Sequence, residues 1–199
     1  MPMIPVRRIV TAHDAHGKAV VTSDGKPPAV LELSASGTYF TEIWKTDSSP
    51  APVDNGPDPT TGPMQMAPAH SGSVIRFVQI APESQTQLPS DPTAMRAHFA
   101  ELGSAEAATG NSSSPHPFMH RTETVDYGIV LRGEVTLILD DSETLLKPGD
   151  VVIQRGTNHA WSNRGNEPCQ IAFILLDGRY SDEVASTLAH RQEVSGGAG

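Results

Sequence analysis

From His116 to Gly178 the chain is a succession of short aliphatic and β-branched runs, each closed by a turn signal. They read DYGIVLRGEVTLILD, a polar turn at DDSE, TLLKPGDVVIQRGTNHAWSN, and CQIAFILLDG. Apolar runs of this length, broken at short intervals, suit strands rather than packed helices. Gly133 and the pair Pro148 and Gly149 stand where tight turns are needed. A protein of many short strands is therefore expected. The 17 Gly and 17 Pro in 199 residues carry the same texture through the rest of the chain.

The first half continues in that style. Strands are expected over 6–11, 18–25, 29–35 and 38–46, then an irregular loop over 47–69 that holds six prolines. Proline has no N–H for a ladder, so this loop cannot be a sheet interior. A further strand is expected over 73–82. Asp91 followed by Pro92 has the form of a helix start for TAMRAHFAEL. A flexible segment over 103–115 leads into the strand-rich region. A terminal helix is expected from Ser181, with a disordered tail at VSGGAG. The expected organisation is an N-terminal β extension over 1–110, a core over 111–180 and a helix with tail over 181–199, all in one structural domain.

Charge and apolar content exclude some partners. A net charge of −9 argues against nucleic acid and against an anionic membrane surface. The N-terminus MPMIPVRRIV lacks the apolar run of a signal peptide, and no segment is long enough to span a bilayer. A cytoplasmic location and a small-molecule partner are expected. The single cysteine, Cys169, lies in an apolar strand and reads as buried filler rather than a nucleophile.

His120 precedes one strand of the dense region and His159 follows a turn in GTNHAWSN, so neighbouring strands can bring the two together with Asp126. These segments resemble the two motifs of the cupin superfamily. The first motif carries Gly, His-x-His, Glu and Gly at fixed spacing. Counting back from Gly133, Asp126 takes the glutamate position, Thr122 that of the second histidine, His120 that of the first, and Ser114 that of the opening glycine. In the second motif Gly149, Gly156, His159 and Asn163 match, while Gln154 replaces a proline. The resemblance covers 114–176. It implies an all-β jelly-roll barrel with an N-terminal strand extension and one or two short helices, and makes a homodimer the expected assembly.

The resemblance also implies a divalent metal held by His120, Asp126 and His159, a set that leaves open coordination positions. Fe²⁺ and Zn²⁺ suit such a set best, with Mn²⁺ and Ni²⁺ as alternatives. Thr122 or His116 is a further candidate to complete it. Asp126 has a second reading, capping the turn before Tyr127 or pairing with Arg121 or Arg132. Trp161 and Tyr127 are candidate catalytic residues. Thr122, Ile129, Leu131, Ile138, Ile153, Asn163 and Phe173 are expected to line a substrate pocket for a partly hydrophobic or aromatic molecule. Oxygenase, decarboxylase, dehydratase and isomerase chemistry all fit such a site. The competing reading is a cupin that binds a small molecule without turning it over, which the loss of the second histidine favours.

Overall fold

The computed structural model describes residues 2–33, 36–86, 91–111 and 113–196, with side chains through residue 190. Eleven strands and two α-helices lie among them. A hairpin of β1 (Arg8–His13) and β2 (Ala19–Gly25) stands by itself. The main sheet has six strands in the order β3 (Val30–Leu33), β4 (Thr38–Thr46), β5 (Ser73–Ile80), β11 (Cys169–Asp177), β6 (Thr124–Arg132) and β9 (Val151–Arg155). A three-stranded sheet has the order β10 (Ala160–Ser162), β7 (Val135–Ile138) and β8 (Glu143–Leu146). Every pairing within the sheets is antiparallel.

The two larger sheets meet over one apolar core. Val130, Val135, Leu137, Leu146, Cys169 and Ile171 are buried against one another, drawn from both. Strand β6 shows why the sequence folds this way. Thr124, Asp126, Gly128 and Val130 are buried while Tyr127 and Leu131 are exposed, which is the two-residue period of a sheet wetted on one face. The turns form where glycine permits them, with φ of +71° at Gly133 and +96° at Gly149. Burial holds the Cys169 thiol up at about 12, so it stays protonated and packs as an apolar group.

The N-terminal strands are part of the barrel. β5 pairs with β11 from Ser73 opposite Leu176 to Ile80 opposite Cys169, so the main sheet is built jointly from both halves of the chain. The extension and the core expected from the sequence thus share the main sheet. The strand β4 carries a bulge between Glu42 and Trp44, and Arg8 donates to the carbonyl of the intervening Ile43 (3.2 Å). The guanidinium of Arg8 also pairs with Asp58 of the proline-rich loop and lies 5.9 Å from the centre of the Trp44 ring.

Helix α1 (Pro92–Ala100) begins as the sequence predicts, with Asp91 accepting from the Ala94 N–H (2.9 Å) and Pro92 in the first turn. It brings Phe99 and, just beyond the helix, Leu102 onto Leu33, Met66 and Ala107, a second apolar core. Residues 34–35 of the expected third strand lie outside the described residues. Helix α2 (Asp182–Gly196) takes in the first residues of the expected tail, and 197–199 lie outside the described residues. Among the described residues no helix is long and apolar enough to cross a membrane.

Candidate functional site

His120 and His159 meet through the backbone. Outside the named strands they form an isolated antiparallel bridge, the N–H of each donating to the carbonyl of the other (2.8 and 2.9 Å). Their rings lie side by side with centroids 4.2 Å apart. Met119, Ala160 and Ile138 form a small buried cluster whose first two members adjoin the pair in sequence, which holds both backbones against β7.

Each ring is fixed by a carbonyl two residues back. His120 Nδ1 donates to the Phe118 carbonyl and His159 Nδ1 to the Thr157 carbonyl, both at 2.9 Å. A carbonyl only accepts, so Nδ1 carries the proton in both rings and each Nε2 keeps its lone pair. This is the orientation that a ligating or proton-accepting imidazole requires. Burial keeps both rings neutral: His120 is lowered to about 4, and His159 lies well below the usual imidazole range, pushed further by its neighbour His120.

The pair faces a cavity of about 140 Å³ inside the barrel. Thr122, Asp126, Trp161 and Phe173 line it as well, so the structure brings six of the residues singled out from the sequence to one cavity. Trp161 sits edge-on between His159 and Phe173, with centroid distances of 5.7 and 5.3 Å. Gly128 makes that stack possible: a Cβ there would come within 3.0 Å of Cε1 of Phe173.

Asp126 is buried, its Oδ1 makes no hydrogen bond, and burial pushes its carboxyl up to about 6 against the pull of the Thr124 hydroxyl and the Arg76 charge. It does not join the histidines as a third ligand. Among the described residues no three His, Cys, Asp or Glu side chains converge on a point where a metal ion would be held. Aspartate reaches one methylene less than the glutamate of the family pattern, and Asp126 is paired with Gln154 along the strand from the His120 and His159 bridge. His116 does not fill the place either. Its Nε2 contacts Glu83 Oε1 (3.0 Å) and its Nδ1 accepts from the Phe118 N–H (3.1 Å). Two imidazole donors fit a divalent ion; the expected three-ligand protein set does not form.

Several expected positions are corrected by strand parity. Tyr127, 38% exposed, faces away from the cavity, which removes it from the catalytic candidates. Leu131 and Ile153 are exposed on the same outer face, and Ile129 shares their side of β6. Ile138 is fully buried behind the histidine pair rather than lining the pocket. Asn163 is a structural post: its Nδ2 donates to the carbonyls of Ile80 (2.9 Å) and Glu167 (2.8 Å), and its Oδ1 accepts from Gly165 N–H (3.0 Å).

Much of the rest of the lining comes from residues that carry no motif. Arg76, His98, Phe99 and Phe118 all line the cavity. The ring of His98 stacks on Phe118 (4.7 Å between centroids) and its Nδ1 is buried without a partner. Its sequence signal is the buried stripe Met95, His98 and Phe99, the i, i+3, i+4 spacing of a helix face. Arg76 sits on the inner face of β5, where its Nη2 donates to Glu42 Oε2 (3.3 Å) and to the Gln65 carbonyl (2.6 Å). Nothing in the sequence marks it apart from other strand arginines.

The family described as "Cupin domain" matches residues 104–175, the segment that carries both histidines. Over a longer reach, "Phomopsin biosynthesis cluster protein C'" of Diaporthe leptostromiformis is 30% identical over 179 residues, which is 86% of this chain and 78% of that protein. The chain belongs to the cupin superfamily. Two further relatives of this cupin are "cupin-domain-containing oxidoreductases". The one from Hypocrea virens is 28% identical, covering 85% of this chain and 75% of the relative. The one from Aspergillus ruber is 26% identical, covering 86% and 72%. These matches extend through the N-terminal half, in keeping with a cavity walled by both halves of the cupin.

Proposed function

We propose that this cupin is an oxidoreductase acting on a small, largely apolar or aromatic molecule held in the barrel cavity. The observation that carries the reading is the pair of neutral imidazoles, His120 and His159, with Nδ1 anchored on backbone carbonyls and Nε2 free at the wall of an apolar chamber. The names of the relatives from Hypocrea virens and Aspergillus ruber support the reaction class.

The residues divide the work. Phe99, Phe118, Trp161 and Phe173 enclose the body of the substrate and exclude water, which strengthens every polar contact inside. The two Nε2 atoms accept a hydrogen bond from the substrate. Burial lowers both imidazoles and keeps them neutral, so each Nε2 serves as a hydrogen-bond acceptor.

The test incubates the protein under air with a panel of single-ring and short branched compounds, supplying Fe²⁺, Zn²⁺, Mn²⁺ or Ni²⁺ in turn. Product is followed by mass spectrometry, and bound metal is quantified in the same samples. Turnover that disappears in both His120→Ala and His159→Ala is the expected result. Turnover that persists in both variants overturns the assignment. Binding without turnover under every condition supports the second reading, a non-catalytic binding cupin, which Thr122 in place of a second histidine favours.

A further inference from the structure

Five buried side-chain atoms among the described residues form no hydrogen bond with the protein, and three of them belong to residues lining one cavity: Arg76 Nε, Asp126 Oδ1 and His98 Nδ1. Fully buried polar groups are nearly always paired, so unpaired ones gathered around one chamber mark a place that receives a polar partner. Arg76 and Asp126 share the inner face of the main sheet. Arg76 lies opposite Phe173 and Asp126 opposite Leu175, in adjacent rows on either side of β11. Both side chains line the cavity, and they lie close enough for each charge to act on the other.

Charge narrows what this pair accepts. The guanidinium of Arg76 is already neutralised by the buried carboxylate of Glu42, 3.3 Å away, and Asp126 adds a second carboxyl rather than a cation. An incoming carboxylate meets no surplus positive charge, and an ammonium meets the Arg76 guanidinium. An uncharged oxygen meets neither obstacle, since it accepts from Arg76 and, as a hydroxyl, donates to Asp126. Size narrows it further, because a cavity of about 150 Å³ takes a benzene ring, close to the volume found here.

We propose that Arg76 and Asp126 bind an uncharged substrate oxygen in the cavity, a hydroxyl or carbonyl, carried on a single-ring apolar body. This deepens the oxidoreductase reading and rests on the cavity being the substrate site. It gives Asp126 a role in substrate recognition in place of the ligand role that the sequence pattern implied.

The experiment titrates three probes of one ring size, benzyl alcohol, toluene and benzoate, at neutral pH. The readout is the fluorescence of Trp161, with Trp161→Phe as the control for Trp44. Benzyl alcohol is expected to bind about tenfold more tightly than toluene or benzoate. Asp126→Leu, which removes the acceptor, is expected to erase that preference while toluene still binds. The double variant Arg76→Met with Glu42→Gln, which removes both members of the buried ion pair, should do the same. Equal binding of all three probes, tighter binding of benzoate, or an undiminished preference in the variants overturns the proposal alone. Binding of none of them overturns the cavity reading on which it rests.

Discussion

Arg76 and Glu42 form an ion pair, 3.3 Å between Nη2 and Oε2, that is almost completely shut away from solvent on the inner face of β4 and β5. Lys45 approaches the other oxygen of the same glutamate at 3.4 Å. A buried pair contributes little net stability, but removing one partner strands the other. Arg76→Met is therefore expected to destabilise the fold by about 3–5 kcal/mol. The double variant with Glu42→Gln should recover most of that loss. Urea unfolding of the two variants beside the parent decides it, and equal midpoints for single and double variants would contradict the coupling.

Acid should reveal two opposed titrations in the cavity wall. His120 is lowered from 6.5 to about 4, so the unfolded chain binds more protons between those values. Its contribution is full above 6.5 and lost as pH falls through about 4. Asp126 is raised from 3.8 to about 6, so its contribution is full below 3.8 and lost as pH rises through about 6. Each effect is on the order of 3 kcal/mol, and the two slopes oppose each other from about pH 4 to 6. Asp126→Asn removes one of them. Its stability should climb more steeply with pH across that window than the parent's, as read by denaturant unfolding at each pH, and parallel curves would refute the burial of an ionisable Asp126.

Gly128 is a packing device. An added Cβ would lie 3.0 Å from Cε1 and 3.4 Å from Cδ1 of Phe173, with Trp161 at 3.8 Å. Gly128→Ala should push the Phe173 ring into the cavity, cost about 1–3 kcal/mol, and weaken binding of single-ring ligands. The expected signature is loss of affinity together with stability; an unchanged unfolding midpoint would mean that the ring yields freely.

Tyr127 and Trp161 should behave as opposites. Tyr127→Phe alters a half-exposed outer face and is expected to shift stability by no more than about 0.5 kcal/mol, with ligand binding untouched. Trp161→Ala removes an aromatic wall between His159 and Phe173 and should weaken single-ring ligands about tenfold. Parallel calorimetric titrations compare the two directly.

Much of the architecture was legible in the chain. Local rules were enough for the strand β4, the start of α1 at Asp91 and Pro92, and the turns at Gly133 and Gly149, because each depends on nearby backbone chemistry. The two histidines were legible through their motifs. What failed was facing. Tyr127, Ile129, Leu131 and Ile153 are apolar residues in the correct strands, and composition alone does not say which side of a strand turns inward.

The sequence by itself determined that this protein is a many-stranded sheet structure with His120 and His159 on facing segments, since turn residues and strand periods act over a few neighbours. Only the tertiary structure decided that more than half of the cavity lining comes from residues before 103, bringing Arg76 of β5 and His98 of α1 to one cavity with residues that are distant in sequence. It also decided that Asp126 and the two histidines line one cavity without forming a three-ligand group among the described residues. Those outcomes depend on the register between β5, β11 and β6, long-range pairings fixed by which residues pack together across the sheet and not by any local signal.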